Sequence, residues 1–204
     1  MTTEHPRAAL LDLLARTSFR LGNFTLSSGA TSDYYIDCRT TTLHAEGARL
    51  TGLAILDVLR EHNLHPAAVG GLTMGADPVV SALAIASAWR HQQQSSAPLI
   101  HGFLVRKAEK AHGTGRRIEG FLQNDAPVLI VDDVCTTGAS TIAAIEAARE
   151  SGMKVIAAIC LVVREEAGGR AALEAACQGA PFLPLFTAND VRAAHIRQAG
   201  SAQH

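Results

Sequence analysis

The sequence predicts an α/β fold in which a central, mainly parallel sheet is flanked by helices, with a small N-terminal hood before the core. Short apolar runs alternate with helical patterns through most of the chain. These runs are apolar on both faces, which is typical of parallel strands covered by helices on both sides. The segment before this alternation differs, because it combines one amphipathic helix with a hairpin pattern.

Length and composition favour a single domain. The chain has 204 residues, of which 48% are hydrophobic. We therefore expect one domain over residues 1–204, with the hood at about 1–40 and the core at about 41–200. The four cysteines form no CxxC pair, so free thiols are expected rather than structural zinc or a disulfide framework.

Charge and hydropathy argue against nucleic acid as the main partner and against a membrane span. The formal net charge of -1 disfavours nucleic acid as a main partner. The longest apolar run, Val155 to Val163, is far shorter than the ~20 residues that span a bilayer. The first residues show no basic segment followed by an apolar one, so no signal peptide is expected. Together these features predict a soluble, cytoplasmic protein.

The elements can be predicted in order. His5 to Thr17 is expected to form an amphipathic helix. Two β-type stretches, Phe24–Leu26 and Tyr34–Asp37, flank a Ser/Gly-rich turn and predict a hairpin. Trp89 is expected to be a packing residue. The predicted elements of the core are helices at Leu43–Glu61, Pro78–Trp89, Ala139–Ser151, Ala167–Cys177 and from about Asn189, and strands at Ala67–Gly70, Leu99–Val105, Val128–Val131, Val155–Val163 and Phe182–Phe186; a long polar loop separates the second of these strands from the stretch IEGFL.

One stretch, VLIVDDVCTTGAST, joins a buried strand to two carboxylates and a polar loop. Neighbouring strand residues point to opposite faces, so Asp132 and Asp133 can face one crevice only if the strand ends there. Gly138 permits a tight turn, and the following helix N-terminus favours a bound phosphate. Carboxylates beside a phosphate suit a ligand with ribose hydroxyls or Mg²⁺ between them. The alternative is that the acids only cap the helix, which would not require two of them.

The same stretch resembles the 5-phosphoribosyl pyrophosphate (PRPP) motif of type I phosphoribosyltransferases. The resemblance implies the type I phosphoribosyltransferase fold, PRPP as a substrate, and Mg²⁺ held through PRPP with both aspartates nearby. The residues that it implies for PRPP binding are Asp132, Asp133, Val134, Cys135, Thr136, Thr137, Gly138, Ala139 and Ser140.

The loop RKAEKAHGTGRR carries five Lys and Arg side chains and two glycines. A loop of this length and charge can be a lid that neutralises a pyrophosphate leaving group, although composition alone fits a solvated loop equally well. It matches the RK..K.HG lid of orotate phosphoribosyltransferases. That resemblance implies that Arg106, Lys107, Lys110 and His112 bind PRPP, that Lys110 is the main catalytic candidate, and that His112 and the two aspartates also take part in catalysis.

Two further segments resemble the orotate phosphoribosyltransferases. FTLSSGATSDYYID is similar to their N-terminal segment, and Arg164 in VVREEAGGR falls where they place an orotate-contacting arginine. A guanidinium can bind the orotate carboxylate as a charge-assisted fork. The resemblance implies orotate contacts for Tyr34, Tyr35, Thr136 and Arg164. Alternation along a strand makes it improbable that both tyrosine rings touch the base, and hairpin packing is the competing role.

The sequence departs from one branch of that family. Ser27 and Met74 stand where that branch has lysines. Other members share these departures, so we expect Thr73 and the backbone of Leu72–Gly75 to contact pyrophosphate instead. The resemblance implies a homodimer with lids shared across subunits, acting in pyrimidine biosynthesis. A phosphoribosyltransferase for another base, or a PRPP-sensing regulator of the same fold, remains the alternative.

Overall fold

A computed structural model describes residues 5–25, 29, 31–107 and 117–201. Within these ranges the chain forms one main sheet, a separate hairpin and flanking helices. None of the described helices is both long and apolar enough to cross a membrane. In chain order the elements are α1 (Pro6–Thr17), β1 (Phe19–Thr25), β2 (Thr31–Ile36), α2 (Arg39–Thr42), α3 (Ala45–Glu61), β3 (Ala68–Leu72), α4 (Asp77–Gln93), β4 (His101–Val105), β5 (Ile118–Gly120), β6 (Pro127–Cys135), α5 (Ala139–Glu150), β7 (Lys154–Val163), α6 (Arg170–Cys177), β8 (Phe186–Thr187) and α7 (Ala188–Ser201).

The main sheet has six strands in the order β5-β4-β3-β6-β7-β8. All neighbouring pairs are parallel except β4 and β5, which are antiparallel. The mainly parallel sheet predicted from the sequence is therefore confirmed. Parallel neighbours need crossover connections, and the helices that alternate with the strands supply them.

Both faces of the sheet are covered. On β6, Leu129 and Val131 pack in a cluster with α1, α3, α4 and α7. Val128 and Ile130 point the other way, into a cluster with α5 and α6. This alternation explains why the strand is continuously apolar in sequence, since each of its faces meets a helix layer.

The two parts of the predicted hood pack differently. Helix α1 contributes Leu10 and Leu14, both fully buried, to the same cluster as α3 and α7. Strands β1 and β2 form a two-stranded antiparallel sheet of their own, with Phe19 opposite Ile36. The hairpin is therefore present and its first strand is longer than predicted, whereas most of the Ser/Gly-rich turn lies outside the described residues.

Two predicted boundaries are wrong for local backbone reasons. The strand expected over Phe182–Phe186 is reduced to β8, and Phe182 makes only an isolated bridge with Ala158. Pro184 lies between them, and proline has no N–H for a strand ladder. The helix expected from Ala167 begins only at Arg170, because Gly168 adopts a left-handed conformation (φ 70°) after a single 3-10 turn.

Candidate active site

A crevice opens where β3 leaves β6. Strand β3 pairs with β4 as far as Leu72 and Val105, but with β6 only as far as Gly70 and Ile130. Strand β6 continues beside β7 to Cys135. The chain order reverses direction across the sheet at this point, and in open α/β sheets ligands bind at such a point, beyond the carboxyl ends of the strands.

The two aspartates lie inside β6, and not after its end as predicted from the sequence. Pairing with β7 keeps the strand extended, so the side chains point to opposite faces. Asp132 accepts a hydrogen bond from Thr141 Oγ1 at 2.8 Å. Asp133 accepts one from the backbone N–H of Val134 at 2.9 Å, and a Cβ on Gly75 would lie 2.5 Å from its Oδ1. Both carboxylates still border one cleft, because β3 no longer covers this part of β6.

Burial makes these carboxylates costly to ionise. It raises the pKa of Asp132 to about 7, and repulsion from Asp133 adds to the effect. Burial also raises the pKa of Asp133. A ligand that brings hydroxyl donors or a cation between them would favour the ionised forms. The pair is therefore suited to a polyhydroxylated or metal-bearing ligand.

The raised pKa of Asp132 predicts a pH-dependent stability. The pKa of Asp132 in the folded state lies above its unfolded-state value of about 3.9. The contribution of this carboxyl to stability is therefore fully present below about pH 3.9 and is lost as the pH rises through about 7. Between about pH 5 and 8, we expect the ligand-free protein to lose roughly 2 kcal/mol of unfolding free energy relative to the Asp132→Asn variant. Urea denaturation at stepped pH measures this difference. Parallel pH profiles for the two proteins would contradict it.

The loop after β6 makes a tight turn that leads directly into α5. Gly138 is left-handed (φ 79°) and immediately precedes α5, and a Cβ there would lie 3.2 Å from Leu173. A Cβ on Gly169 would lie only 2.3 Å from the carbonyl oxygen of Thr136, so the loop packs closely on the start of α6. The exposed positions of the loop are Thr136, Thr137, Ala139 and Ser140, whereas Cys135 and Gly138 are buried.

Two clefts flank this loop. The first, which we call the aspartate cleft, has a volume of about 670 Å³. The second, the arginine cleft, has a volume of about 1150 Å³. Tyr35 borders both, so the clefts adjoin. Of the predicted site residues, the aspartate cleft brings together Tyr35, Thr73, Arg106, Lys107, Asp132, Asp133, Val134 and Ser140. The arginine cleft brings together Tyr34, Tyr35, Thr136, Thr137 and Arg164.

Some predicted residues are not placed at a cleft. Cys135, Gly138 and Ala139 are not among the described residues that line the two clefts. A hydrogen bond from the Cys160 thiol lowers the pKa of Cys135, which is buried between the strands and α5. Lys110, His112 and Ser27 lie outside the described residues. The first end of the predicted lid, Arg106 and Lys107, does line the aspartate cleft, and the backbone N–H of Arg106 donates to the carbonyl of Arg117 at 2.8 Å.

The loop after β3 forms the opposite wall of the aspartate cleft. The backbone N–H of Thr73 donates to the carbonyl of Val105 at 2.9 Å, which anchors the loop to β4. The peptide bond between Thr73 and Met74 is cis. Leu72, Thr73, Met74 and Gly75 all line the cleft, and Met74 is 69% exposed.

Arg164 lies at the base of the arginine cleft and is almost fully buried. Its backbone N–H donates to the carbonyl of Cys135 at 2.8 Å, so it continues the β6–β7 ladder. Its Nε donates to Tyr34 Oη at 2.9 Å and to Glu166 Oε1 at 3.0 Å. Its Nη2 donates to Ser32 Oγ at 3.2 Å. The side chain therefore ties the hairpin to the main sheet.

The adjacent tyrosines have different environments. Tyr34 is buried, with its ring stacked 5.4 Å from Phe19 and its hydroxyl donating to Glu166. Burial, reinforced by the Glu166 carboxylate, raises the pKa of Tyr34 to about 12. Tyr35 is 41% exposed. Alternation along β2 thus leaves Tyr35 as the aromatic ring with surface open to a ligand.

Six charged residues that line these clefts were not predicted from the sequence: Asp33, Asp37, Arg39, Glu165, Glu166 and Arg192. Arg39 borders the aspartate cleft from the hairpin side and donates from Nε and Nη2 to the Asp37 carboxylate, both at 2.8 Å. Glu166 pairs with Arg164. Arg39 follows a predicted strand, and no sequence pattern marked it as a site residue. Glu166 could not be told apart from its neighbour Glu165 by sequence. Asp37, two residues before Arg39, was the one sequence feature that could have suggested an ion pair with that arginine.

Comparison with known proteins supports a family assignment. No family model matches the chain. An orotate phosphoribosyltransferase of Streptomyces avermitilis is 43% identical over 176 residues, which is 86% of this chain and 91% of the relative. One of Aquifex aeolicus is 40% identical over 188 residues, covering 91% of this chain and 97% of the relative.

The chain belongs to the orotate phosphoribosyltransferase family.

A solved structure of this family agrees in fold. The orotate phosphoribosyltransferase of Mycobacterium tuberculosis H37Rv in complex with PRPP matches with a TM-score of 0.71 and 32% identity, over 91% of this chain and 98% of the other. Together with the sheet order and its two helix layers, this match confirms the predicted type I phosphoribosyltransferase fold.

Proposed function

We propose that the chain transfers the 5-phosphoribosyl group from PRPP to orotate, giving orotidine 5′-monophosphate and pyrophosphate in pyrimidine nucleotide synthesis. The observation that carries the proposal is the pair of adjoining clefts, one with two carboxylates beside an anion-binding loop and one with a buried arginine. Relatives over most of the chain bear the same name, and one solved relative is a PRPP complex. We place the reaction in the cytoplasm, and the four free, buried cysteines support a reducing compartment.

PRPP would occupy the aspartate cleft. The loop over residues 136–140 and the N-terminus of α5 offer backbone N–H groups and hydroxyls to the 5′-phosphate. Asp132 and Asp133 would accept hydrogen bonds from the ribose hydroxyls. If positive charge develops on the ribose as the bond to pyrophosphate breaks, these carboxylates stabilise it. Arg39, Arg106 and Lys107 would face the negative charge of the pyrophosphate.

The residues present fit a magnesium ion that is held jointly with PRPP. Within the described parts of the chain, no group of three or more His, Cys, Asp or Glu side chains forms a metal cage. Mg²⁺ in phosphoryl sites usually has one or two protein carboxylates and takes its other oxygens from phosphates and water. Asp132 and Asp133, which both border the aspartate cleft, would lie near an ion held mainly through PRPP. When bound, the ion would neutralise charge on the leaving pyrophosphate.

Orotate would occupy the arginine cleft. Arg164 is the buried cation there, and a charge-assisted hydrogen bond to the orotate carboxylate would orient the base. Thr136 borders the same cleft and adds a hydroxyl beside the PRPP loop. Tyr35 stands where the two clefts adjoin, so its ring can contact the base as the base approaches the ribose.

The direct test is the loss of orotate ultraviolet absorbance with purified protein, PRPP and Mg²⁺, repeated with EDTA. Parallel reactions offer adenine, hypoxanthine or uracil as the base. We expect metal-dependent consumption of orotate alone. Turnover of another base in place of orotate, or PRPP binding without turnover, would overturn the proposal.

We further propose a homodimer in which one subunit's lid reaches its neighbour's site. An apolar groove of about 600 Å³ between α3 and α4 supports an interface. Ile85 is 57% exposed there and Trp89 is 61% exposed, so the expectation that Trp89 is a packing residue within the subunit is wrong. Exposed aromatic anchors of this kind are typical of interface cores.

The interface predicts a mutational effect on assembly. We expect Trp89→Glu to weaken the dimer at least about tenfold, since it buries an unpaired charge in an apolar contact. Sedimentation velocity over a protein concentration series measures the change. Ile196→Glu is the matched control, because Ile196 is also an exposed apolar residue (53%) but lies on α7. A monomeric wild type, or equal effects of both variants, would contradict the proposal.

A further inference from the structure

The buried guanidinium of the arginine cleft is already paired with a carboxylate of its own chain. Glu166 Oε1 accepts hydrogen bonds from both Arg164 Nε and Tyr34 Oη. The guanidinium carbon also lies 4.6 Å from the centre of the Tyr34 ring. A carboxylate therefore stands against the same cation that the proposed function assigns to the carboxylate of orotate.

The two partners of this ion pair differ in how easily they can move. The side chain of Arg164 is 10% exposed and has further contacts to Ser32 and Tyr34. The side chain of Glu166 is 53% exposed and sits on a single 3-10 turn that ends at the left-handed Gly168. Glu166 can thus rotate into solvent while the arginine stays in place.

We propose that Glu166 is a place-holder for the substrate carboxylate, pairing with Arg164 in the free protein and giving way when orotate binds. The inference rests on the proposed binding of orotate at Arg164. A buried cation without a partner is costly, and the exchange keeps Arg164 paired before, during and after turnover.

The exchange has a consequence for affinity. Orotate must compete with a tethered carboxylate, so Glu166 raises the KM for orotate. The nucleotide product carries the same carboxylate and meets the same competitor, so Glu166 also weakens product binding. The opposite arrangement, in which Glu166 stays on Arg164 and orients it in the complex, predicts the opposite sign for both quantities. Glu166 is accordingly a positioning residue whose removal should tighten binding.

Glu166→Gln tests the exchange without changing the side chain's shape. We expect the KM for orotate, and the Kd for orotidine 5′-monophosphate from calorimetry, to fall by about three- to fivefold, as for losing one partly exposed charge pair. Glu166→Ala should shift both further in the same direction. The KM for PRPP should change by less than about twofold. Glu165→Gln is the matched control, because Glu165 is equally exposed but its ion pair is with Arg170 at 3.9 Å.

The possible outcomes distinguish a failure of the place-holder role from a failure of the proposed orotate site at Arg164. A KM and a product Kd that stay constant or rise in Glu166→Gln overturn the place-holder role. If Arg164→Ala nevertheless weakens orotate and product binding, the orotate site stands and only the exchange is wrong. If Arg164→Ala leaves both unchanged, the assignment of orotate to this cleft fails as well. Equal effects of Glu165→Gln and Glu166→Gln would show that any loss of negative charge near the cleft has the same effect, and would also overturn the inference.

Discussion

Replacing Lys110 with alanine is expected to lower turnover by about two orders of magnitude, as for the loss of one strong transition-state contact. The structure describes the chain up to Lys107 and again from Arg117, and a backbone hydrogen bond joins Arg106 to Arg117 at the aspartate cleft. Lys110 itself lies outside the described residues, and the resemblance to the family is what assigns its ammonium group to the departing pyrophosphate.

The measurement is steady-state turnover together with PRPP binding by calorimetry. PRPP should still bind to the Lys110→Ala variant, because the loop after β6 and the remaining cations are intact. Lys154→Ala is the control, since Lys154 is exposed and pairs with Asp125 away from both clefts. Unchanged turnover in Lys110→Ala would refute the lid argument.

Replacing Arg164 with alanine is expected to raise the KM for orotate by about a hundredfold, as for the loss of a buried charge-assisted contact. The KM for PRPP should change much less, because Arg164 borders only the arginine cleft. The substitution also leaves Glu166 without its cation and removes the tie to Ser32. Part of the loss could therefore come from displacement of the hairpin.

A second variant separates these two causes. Arg192 on α7 lines the same cleft and donates to Asp33 of β2 at 2.6 Å, so it also holds the hairpin without contacting Arg164. Arg192→Ala should change the KM for orotate by no more than about threefold, as for an exposed ion pair. A shift in KM confined to PRPP in Arg164→Ala, or equal shifts in both variants, would refute the orotate contact.

Local chemistry made much of the site predictable. The paired acids, the glycine turn and the helix after them lie within one short stretch, so their proximity needs no tertiary information. The alternation of apolar runs and helices likewise predicted the parallel sheet, because strands that are apolar on both faces indicate a sheet covered by helices on both sides. Arg164 was identified only through the resemblance to the orotate phosphoribosyltransferases.

Other features depend on what packs beside a residue. Strand β6 continues past Val131 because it forms hydrogen bonds with β7 as far as Val163. In this part of the strand each paired residue of β7 lies 28 positions later in the sequence. Gly75 approaches Asp133 only because β3 and β6 are neighbours. Trp89 is exposed because no other element of the described chain covers its part of α4. Sequence patterns carry no direct record of such neighbours.

The sequence by itself therefore determined the fold class and the polar loop with its two acids, and the family resemblance singled out Arg164 after the fourth predicted strand of the core. Only the tertiary structure decided that Asp132 and Asp133 point to opposite faces, that Tyr34 packs while Tyr35 faces the clefts, and that Arg39 and Glu166 belong to the site. The physical reason is the separation along the chain over which each kind of interaction acts. Turns, caps and periodicity act between residues close in the chain, whereas Tyr34 and Arg164 meet across 130 positions, where only the packing of the hairpin on the sheet brings them together.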